Sequence, residues 1–172
     1  MFNDGERFHR PLFPAGFPSP QKLAGVMLLA VLTLVAAACS LPTKVRSMFG
    51  GELPFNVTLA SDANENSAVA VDAVVVYDKN VLDQLMKVPA AEWFKKKDQF
   101  VNDHRGNITV QQWEWTPSQL VPQQTVTYRA GAQKVLLYAD YASEGDHRAV
   151  VDPQQRFVLV LNKLNLDIKE IK

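Results

Sequence analysis

Phe55, Val57 and Leu59 alternate with Asn56, Thr58 and Ala60, the period-two pattern of a strand with one buried face. Residues 61–67 then hold Asp62, Asn64, Glu65, Asn66 and Ser67, mostly short polar side chains that favour turns, and predict an exposed loop. Five valines, at positions 69, 71, 74, 75 and 76, crowd residues 68–77, where β-branching favours strand over helix. Such a near-continuous apolar run fits a central strand. Asp72 interrupts it and reads as an edge or solvent-facing position rather than a catalytic carboxylate.

After Tyr77 the period becomes helical. Leu82, Leu85 and Met86 are spaced for a helix within residues 81–88. Pro89 opens a second helical run, since proline suits a first turn, where its missing N–H costs nothing. In that run Trp93, Phe94, Phe100 and Val101 share one face, predicted to pack the helix onto the strands, with Glu92 and Lys96 as an i,i+4 pair on the other. Lys95, Lys96 and Lys97 read as a solvated helix face.

Strand signals return at residues 108–116, with Trp113 and Trp115 on one face and Ile108 and Val110 on the other. The tryptophan pair is expected to lie in a core rather than to stack sugars. Residues 125–128 form a short strand, and Val135, Leu136, Leu137 and Tyr138 mark a strand buried on both faces within 133–141. Residues 149–151 and 157–161 are expected to make a hairpin across Asp152, Pro153, Gln154 and Gln155. Leu164, Leu166 and Ile168 alternate with polar residues in a last strand. Seven or so short strands with helices gathered after the second predict a mainly β fold, a two-sheet β-sandwich with a helical insertion.

Upstream the pattern is of another kind. Residues 23–38 are a 16-residue apolar run, preceded by Lys22, Arg10 and Arg7 and ended by Ala36, Ala37, Ala38 and Cys39. That is short of the ~20 residues needed to span hydrocarbon, but it has the n-region, h-region and small-residue end of an export signal. The Ala-Ala-Ala-Cys ending resembles a bacterial lipobox, so cleavage is expected before Cys39, with lipid on its sulfur. Ser40 follows, where lipoproteins kept in the inner membrane typically carry Asp, and by that resemblance the destination is the outer membrane, periplasmic side. Two or three acyl chains give stable anchoring. The expected division is a signal peptide at 1–38 with a long n-region, a lipidated tether at 39–54 containing Pro42, Gly50, Gly51 and Pro54, and one periplasmic domain at 55–172.

Composition narrows the function. Cleavage after residue 38 leaves 134 of the 172 residues, enough for one domain with a real core. The expected mature part holds 15 Lys and Arg against 16 Asp and Glu, a balance that gives no electrostatic case for binding nucleic acid. The chain's single cysteine is the lipidation site, so no disulfide is expected within the fold. His104 and His147 stand outside any metal-binding spacing and read as surface loop residues. Glycine-rich phosphate loops and a Gly-x-Ser-x-Gly elbow are missing, so neither a cofactor nor catalysis is expected.

With these residues in place, the chain resembles the TssJ family, the outer-membrane lipoproteins of type VI secretion systems. The resemblance covers residues 55–152 and rests on the lipobox and on an ordered set of motifs. These are Leu59-Ala60-Ser61 with an Asn-bearing loop, the Ala-Val-Ala-Val-Asp-Ala-Val-Val-Val-Tyr strand, and the helical insertion with Trp93 and Phe94. Trp115-Thr116-Pro117, the strand from Val135 through Tyr138 to Tyr141, and His147-Arg148, where the family often has Trp-Arg, complete it.

The resemblance implies a transthyretin-like sandwich that is not an enzyme and that binds the periplasmic C-terminal part of the inner-membrane protein TssM, with TssL nearby. The loop between the first two strands is a contact surface in the family, which maps here to Asp62, Ala63, Asn64, Glu65, Asn66 and Ser67. These six small or polar residues are expected to carry binding without carrying stability. Two rival readings share the compartment: a pilotin-like lipoprotein of another secretion system, and a carbohydrate- or peptidoglycan-binding module using Trp113 and Trp115.

Overall fold

A computed structural model describes residues 49–171. Eight strands form two four-stranded sheets. The first sheet has the order β4-β1-β7-β8, from β1 (Gly51–Leu59), β4 (Gln124–Tyr128), β7 (Phe157–Leu161) and β8 (Leu166–Glu170). The second has the order β3-β2-β5-β6, from β2 (Val69–Val76), β3 (Ile108–Trp115), β5 (Lys134–Ala139) and β6 (Arg148–Val151). Helices α1 (Lys79–Leu85) and α2 (Ala90–Asp103) follow β2, as its change of period predicts. The fold is the mainly β, two-sheet sandwich with a helical insertion that the pattern implies.

The helices cover the outer face of the second sheet, which makes three layers and two cores. Val71, Ala73 and Val75 of β2 face the first sheet, packing with Phe55, Phe157, Leu159 and Trp115. Val74 and Val76 face the helices, with Val81, Leu85, Trp93 and Tyr138. This double burial is why β2 and β5 read as unbroken apolar runs. The tryptophan pair lies in the inter-sheet core. Trp113 meets Phe55 edge-on at 5.5 Å and stacks on Trp115 at 5.9 Å, so the platform that a sugar-binding module needs faces inward.

Several expectations are corrected. Asp72 is neither at an edge nor solvent-facing: it is 2% exposed on the helix side of central β2. Trp93 Nε1 donates to its Oδ2 at 2.9 Å, Lys97 Nζ lies 3.1 Å away, and Gln112 Nε2 donates to the same oxygen at 3.5 Å. A carboxylate thus pins α2 to the sheet, and Lys97 leaves the solvated lysine cluster to reach it. Glu92 and Lys96 do form their surface pair, at 2.8 Å. On the aromatic face only Trp93 is fully buried, stacked 4.9 Å from Tyr138, whereas Phe94 and Phe100 are half-buried and Val101 is exposed.

The predicted hairpin between β6 and β7 does not form. β6 pairs with β5 in one sheet, and β7 pairs with β1 and β8 in the other. Gln155 N–H donates to the Asp152 carbonyl at 3.0 Å across Pro153, a turn of the ordinary kind that splays its flanking strands instead of twisting them together. β1 also starts earlier than expected, taking residues 51–54 from the tether, because β4 pairs with them from Tyr128 opposite Gly51 to Thr125 opposite Pro54. Gly50, just ahead of the strand, is the position that requires glycine, since its φ is +74° and a Cβ there would lie 2.7 Å from the Tyr128 carbonyl oxygen. His147, too, differs from expectation: it is 5% exposed rather than a surface loop residue.

Candidate functional site

The β1–β2 loop is a tight left-handed turn. Asn64, Glu65 and Asn66 take successive φ values of 45°, 54° and 69°, within the short turn Ala63–Asn66. Each non-glycine residue in that region costs roughly 1–2 kcal/mol, least for asparagine, so the conformation persists only where its surroundings enforce it. Ala63 and Asn64 are buried, and Asn64 supplies the enforcement. Its Nδ2 donates to the Ala68 carbonyl at 2.8 Å and to the Asp140 carbonyl at 3.3 Å, while its Oδ1 accepts from Ala142 N–H at 2.9 Å. The expectation that this loop carries no stability is therefore corrected: two of its six residues are built into the fold.

Asn64 joins three loops. The main-chain N–H groups of Asn64 and Glu65 donate to Asn162 and Lys163 of the β7–β8 turn, each at 3.3 Å. The β5–β6 loop reaches the same turn through the Tyr141 hydroxyl, 3.0 Å from the carbonyls of both Asn162 and Asn165, and through Ser143 Oγ, which donates to the Leu164 carbonyl at 2.9 Å. Burial raises the pKa of the Tyr141 phenol far above its ordinary value, with the Asn162 hydrogen bond lowering it and nearby Asp167 raising it further, so its proton stays in place.

His147 closes the arrangement. Its ring stacks 5.0 Å from Tyr141, its Nε2 donates to the Ser143 carbonyl at 2.7 Å, and its Nδ1 lies 3.1 Å from Asn165 Oδ1. Arg148, next in sequence, points to the other layer, donating to the Val88 carbonyl at 2.6 Å ahead of α2. Ala90 N–H donates to the Asp146 carbonyl at 2.9 Å, so the β5–β6 loop is tied to the helices as well.

Four of the six predicted contact residues, Asp62, Glu65, Asn66 and Ser67, remain exposed on this rigid end. The fold adds exposed neighbours that the sequence did not single out: Asp140, Glu144 and Asp146 from the β5–β6 loop, and Lys163 and Leu164 from the β7–β8 turn, with Leu164 51% exposed. Their signal is tertiary, because nothing local links positions 64, 142 and 163. Cys39 and Ser40 lie outside the described residues. Among the described residues no cluster of three metal-ligating side chains occurs, and no helix is long and apolar enough to cross a membrane. This end presents exposed charged and hydrogen-bonding side chains on loops that are tied to one another.

No protein-family model matches the sequence, and no curated protein does so either. Solved structures do match. The type VI secretion lipoprotein TssJ1 from Pseudomonas aeruginosa is similar over 72% of this chain and 98% of its own, with a TM-score of 0.54 at 10% identity. The fold is TssJ-like. Lip from Serratia marcescens, described as a membrane-bound component of the type VI secretion system, is similar over 72% of this chain and 99% of its own, with a TM-score of 0.54 at 10% identity. A chain of a type VI membrane complex matches over 69% of this chain and 97% of its own, with a TM-score of 0.50 at 12% identity. The TssJ-like fold thus accounts for nearly the whole of each of these neighbours, with identities so low that only the architecture is shared.

Proposed function

We propose that this chain is a lipoprotein anchored by Cys39 in the outer membrane, facing the periplasm, and that it serves as an assembly component of a type VI secretion membrane complex rather than as an enzyme. The observation that carries the reading is the coincidence of a TssJ-like sandwich with an Ala-Ala-Ala-Cys lipobox upstream of it. Ser40 directs the chain outward, and lipid on Cys39 is its only attached group. The partner is the periplasmic part of TssM, with TssL nearby, and the contact surface is the β1–β2 loop: Asp62, Glu65, Asn66 and Ser67 meet the partner while Ala63 and Asn64 hold them in place.

Calorimetric titration of the chain in detergent micelles with the periplasmic part of TssM tests the role. Wild-type chain binds, and Asp62→Ala, Glu65→Ala and Asn66→Ala together weaken binding at least ~10-fold, the equivalent of ~1.4 kcal/mol. Full binding by the triple variant refutes the loop assignment, and no binding by the wild type refutes the partner. In cells, Cys39→Ser abolishes labelling by radioactive palmitate and releases the protein from membranes, and Ser40→Asp retains it in the inner membrane. Label on the Ser variant overturns the anchor.

A further inference from the structure

β1 begins at the end of the sandwich opposite the interlocked loops. It runs nine residues from Gly51 to Leu59, which sets its start roughly 25–30 Å from the β1–β2 loop. Arg129 ties the two sheets together there. It follows Tyr128, the partner of Gly51, and its guanidinium lies 3.9 Å from the centre of the Tyr77 ring at the close of β2. Its main-chain N–H donates to the Tyr77 hydroxyl at 3.2 Å, and its side chain donates to the Gly106 carbonyl ahead of β3.

Two observations bear on which end meets the membrane that holds Cys39. The first is length. Cys39 precedes Gly51 by twelve positions, which span ~40 Å at full stretch but only ~20 Å as a random chain, less than the sandwich is long. Bringing the loop end to the lipid therefore costs chain entropy, whereas the end where β1 begins lies within easy reach. The second is charge. Asp62, Glu65, Asp140, Glu144 and Asp146 are exposed at the loop end, with Lys163 and half-buried Arg148 as its cations, and an anionic leaflet repels that excess. Leu120 and Leu164 are exposed there too, but they cannot enter lipid without bringing those carboxylates to its surface.

The end where β1 begins has no such excess. Arg105, Arg129 and Arg156 are exposed on it, none in an ion pair with a described residue, and Glu52, Asp103 and Glu170 balance them. Phe49, two residues ahead of β1, is 85% exposed, and Ile171, whose N–H donates to the Arg156 carbonyl at 3.1 Å, is 41% exposed.

We propose that this end docks on the phospholipid leaflet holding the acyl chains of Cys39, with Phe49 at the boundary of headgroups and acyl chains and the three arginines on lipid phosphates, so that the interlocked loops face away from the membrane. An aromatic side chain is stabilised at that boundary, and a guanidinium matches phosphate oxygens with paired N–H donors. Arg129 loses little freedom on binding, because Tyr77 and Gly106 already hold it. The inference rests on the anchor proposed for Cys39 and goes beyond it, since an acylated chain need not dock.

The test uses the full chain purified from membranes into nanodiscs of phosphatidylethanolamine and phosphatidylglycerol, with a nitroxide on a fraction of the headgroups. Mass spectrometry of the same sample reads the acyl chains on Cys39. Amide NMR signals of residues 49–52, 106, 129–131 and 171 are lost to paramagnetic broadening, while those of 62–67 and 142–146 persist. Phe49→Ser with Arg156→Gln, both at exposed positions and expected to melt as wild type does, restores the lost signals. Equal loss at both ends, loss confined to the loop end, no loss, or an unchanged pattern in the double variant overturns the proposal. If Cys39 carries no acyl chain, the anchor reading fails by itself. Docking is then read on the chain coupled through that thiol, its only one, to a maleimide lipid, where loss at residues 49–52 alone supports it and equal loss at both ends overturns it.

Discussion

Replacing Asn64 by alanine removes one buried side chain that holds three loops together, and the cost can be worked from its partners. The substitution leaves Ala68 C=O, Asp140 C=O and Ala142 N–H without the bonds they make at 2.8, 3.3 and 2.9 Å. A buried group left unsatisfied costs roughly 1–3 kcal/mol, but the two carbonyls can accept water once the side chain is gone, so about one full penalty and two partial ones remain. Alanine also tolerates the 45° φ of position 64 less well than asparagine does. The total is about 3–4 kcal/mol. For a domain of this size ~1 kcal/mol moves Tm by roughly 3–4 °C, so Asn64→Ala melts ~10–15 °C below wild type. Differential scanning calorimetry measures it, with exposed Glu65→Ala as a control expected within ~0.5 kcal/mol. An Asn64→Ala melt within ~2 °C of wild type refutes the view that this residue organises the loops.

Two other outcomes follow from the layers. Trp93→Ala loses ~3–5 kcal/mol by urea unfolding and Trp93→Phe loses ~1.5–3 kcal/mol, because phenylalanine keeps the stacking but leaves Asp72 without its indole donor, and a Phe variant as stable as wild type counts against that bond. Half-buried Phe94→Ala costs less than Trp93→Ala. The chain is also destabilised at alkaline pH: burial raises Tyr138, against the opposing charge of Arg148, and Tyr141 is raised too, so the unfolded state releases these protons first. Stability from both is full below pH ~10, the phenol value of the unfolded chain, and falls as pH rises above it. Absorbance titration at 295 nm checks it, and ionisation of all four tyrosines near pH 10 while the chain is folded refutes it.

Local sequence was sufficient wherever a residue's neighbours in the chain set its environment. The valine run of residues 69–76, the switch to helical spacing after Tyr77 and the inward tryptophans of β3 were legible because burial on one or both faces leaves a period in the sequence. The loop at 61–67 was legible as a loop from its turn-forming side chains. Tertiary structure alone decided which strands pair and which polar residues are buried. The segment at 157–161 has the same alternation whether it pairs with β6 or lies between β1 and β8, and the turn through Pro153 carries it to the other sheet. Asp72 looked like a solvent-facing break because the donors that neutralise it, Trp93 and Lys97, lie on a helix more than 20 positions away. Asn64 and His147 likewise looked like exposed loop residues, since the carbonyls and N–H groups that satisfy them come from segments up to 78 positions distant. A polar side chain is buried when its partners are present, and partners brought together by folding leave no period to read.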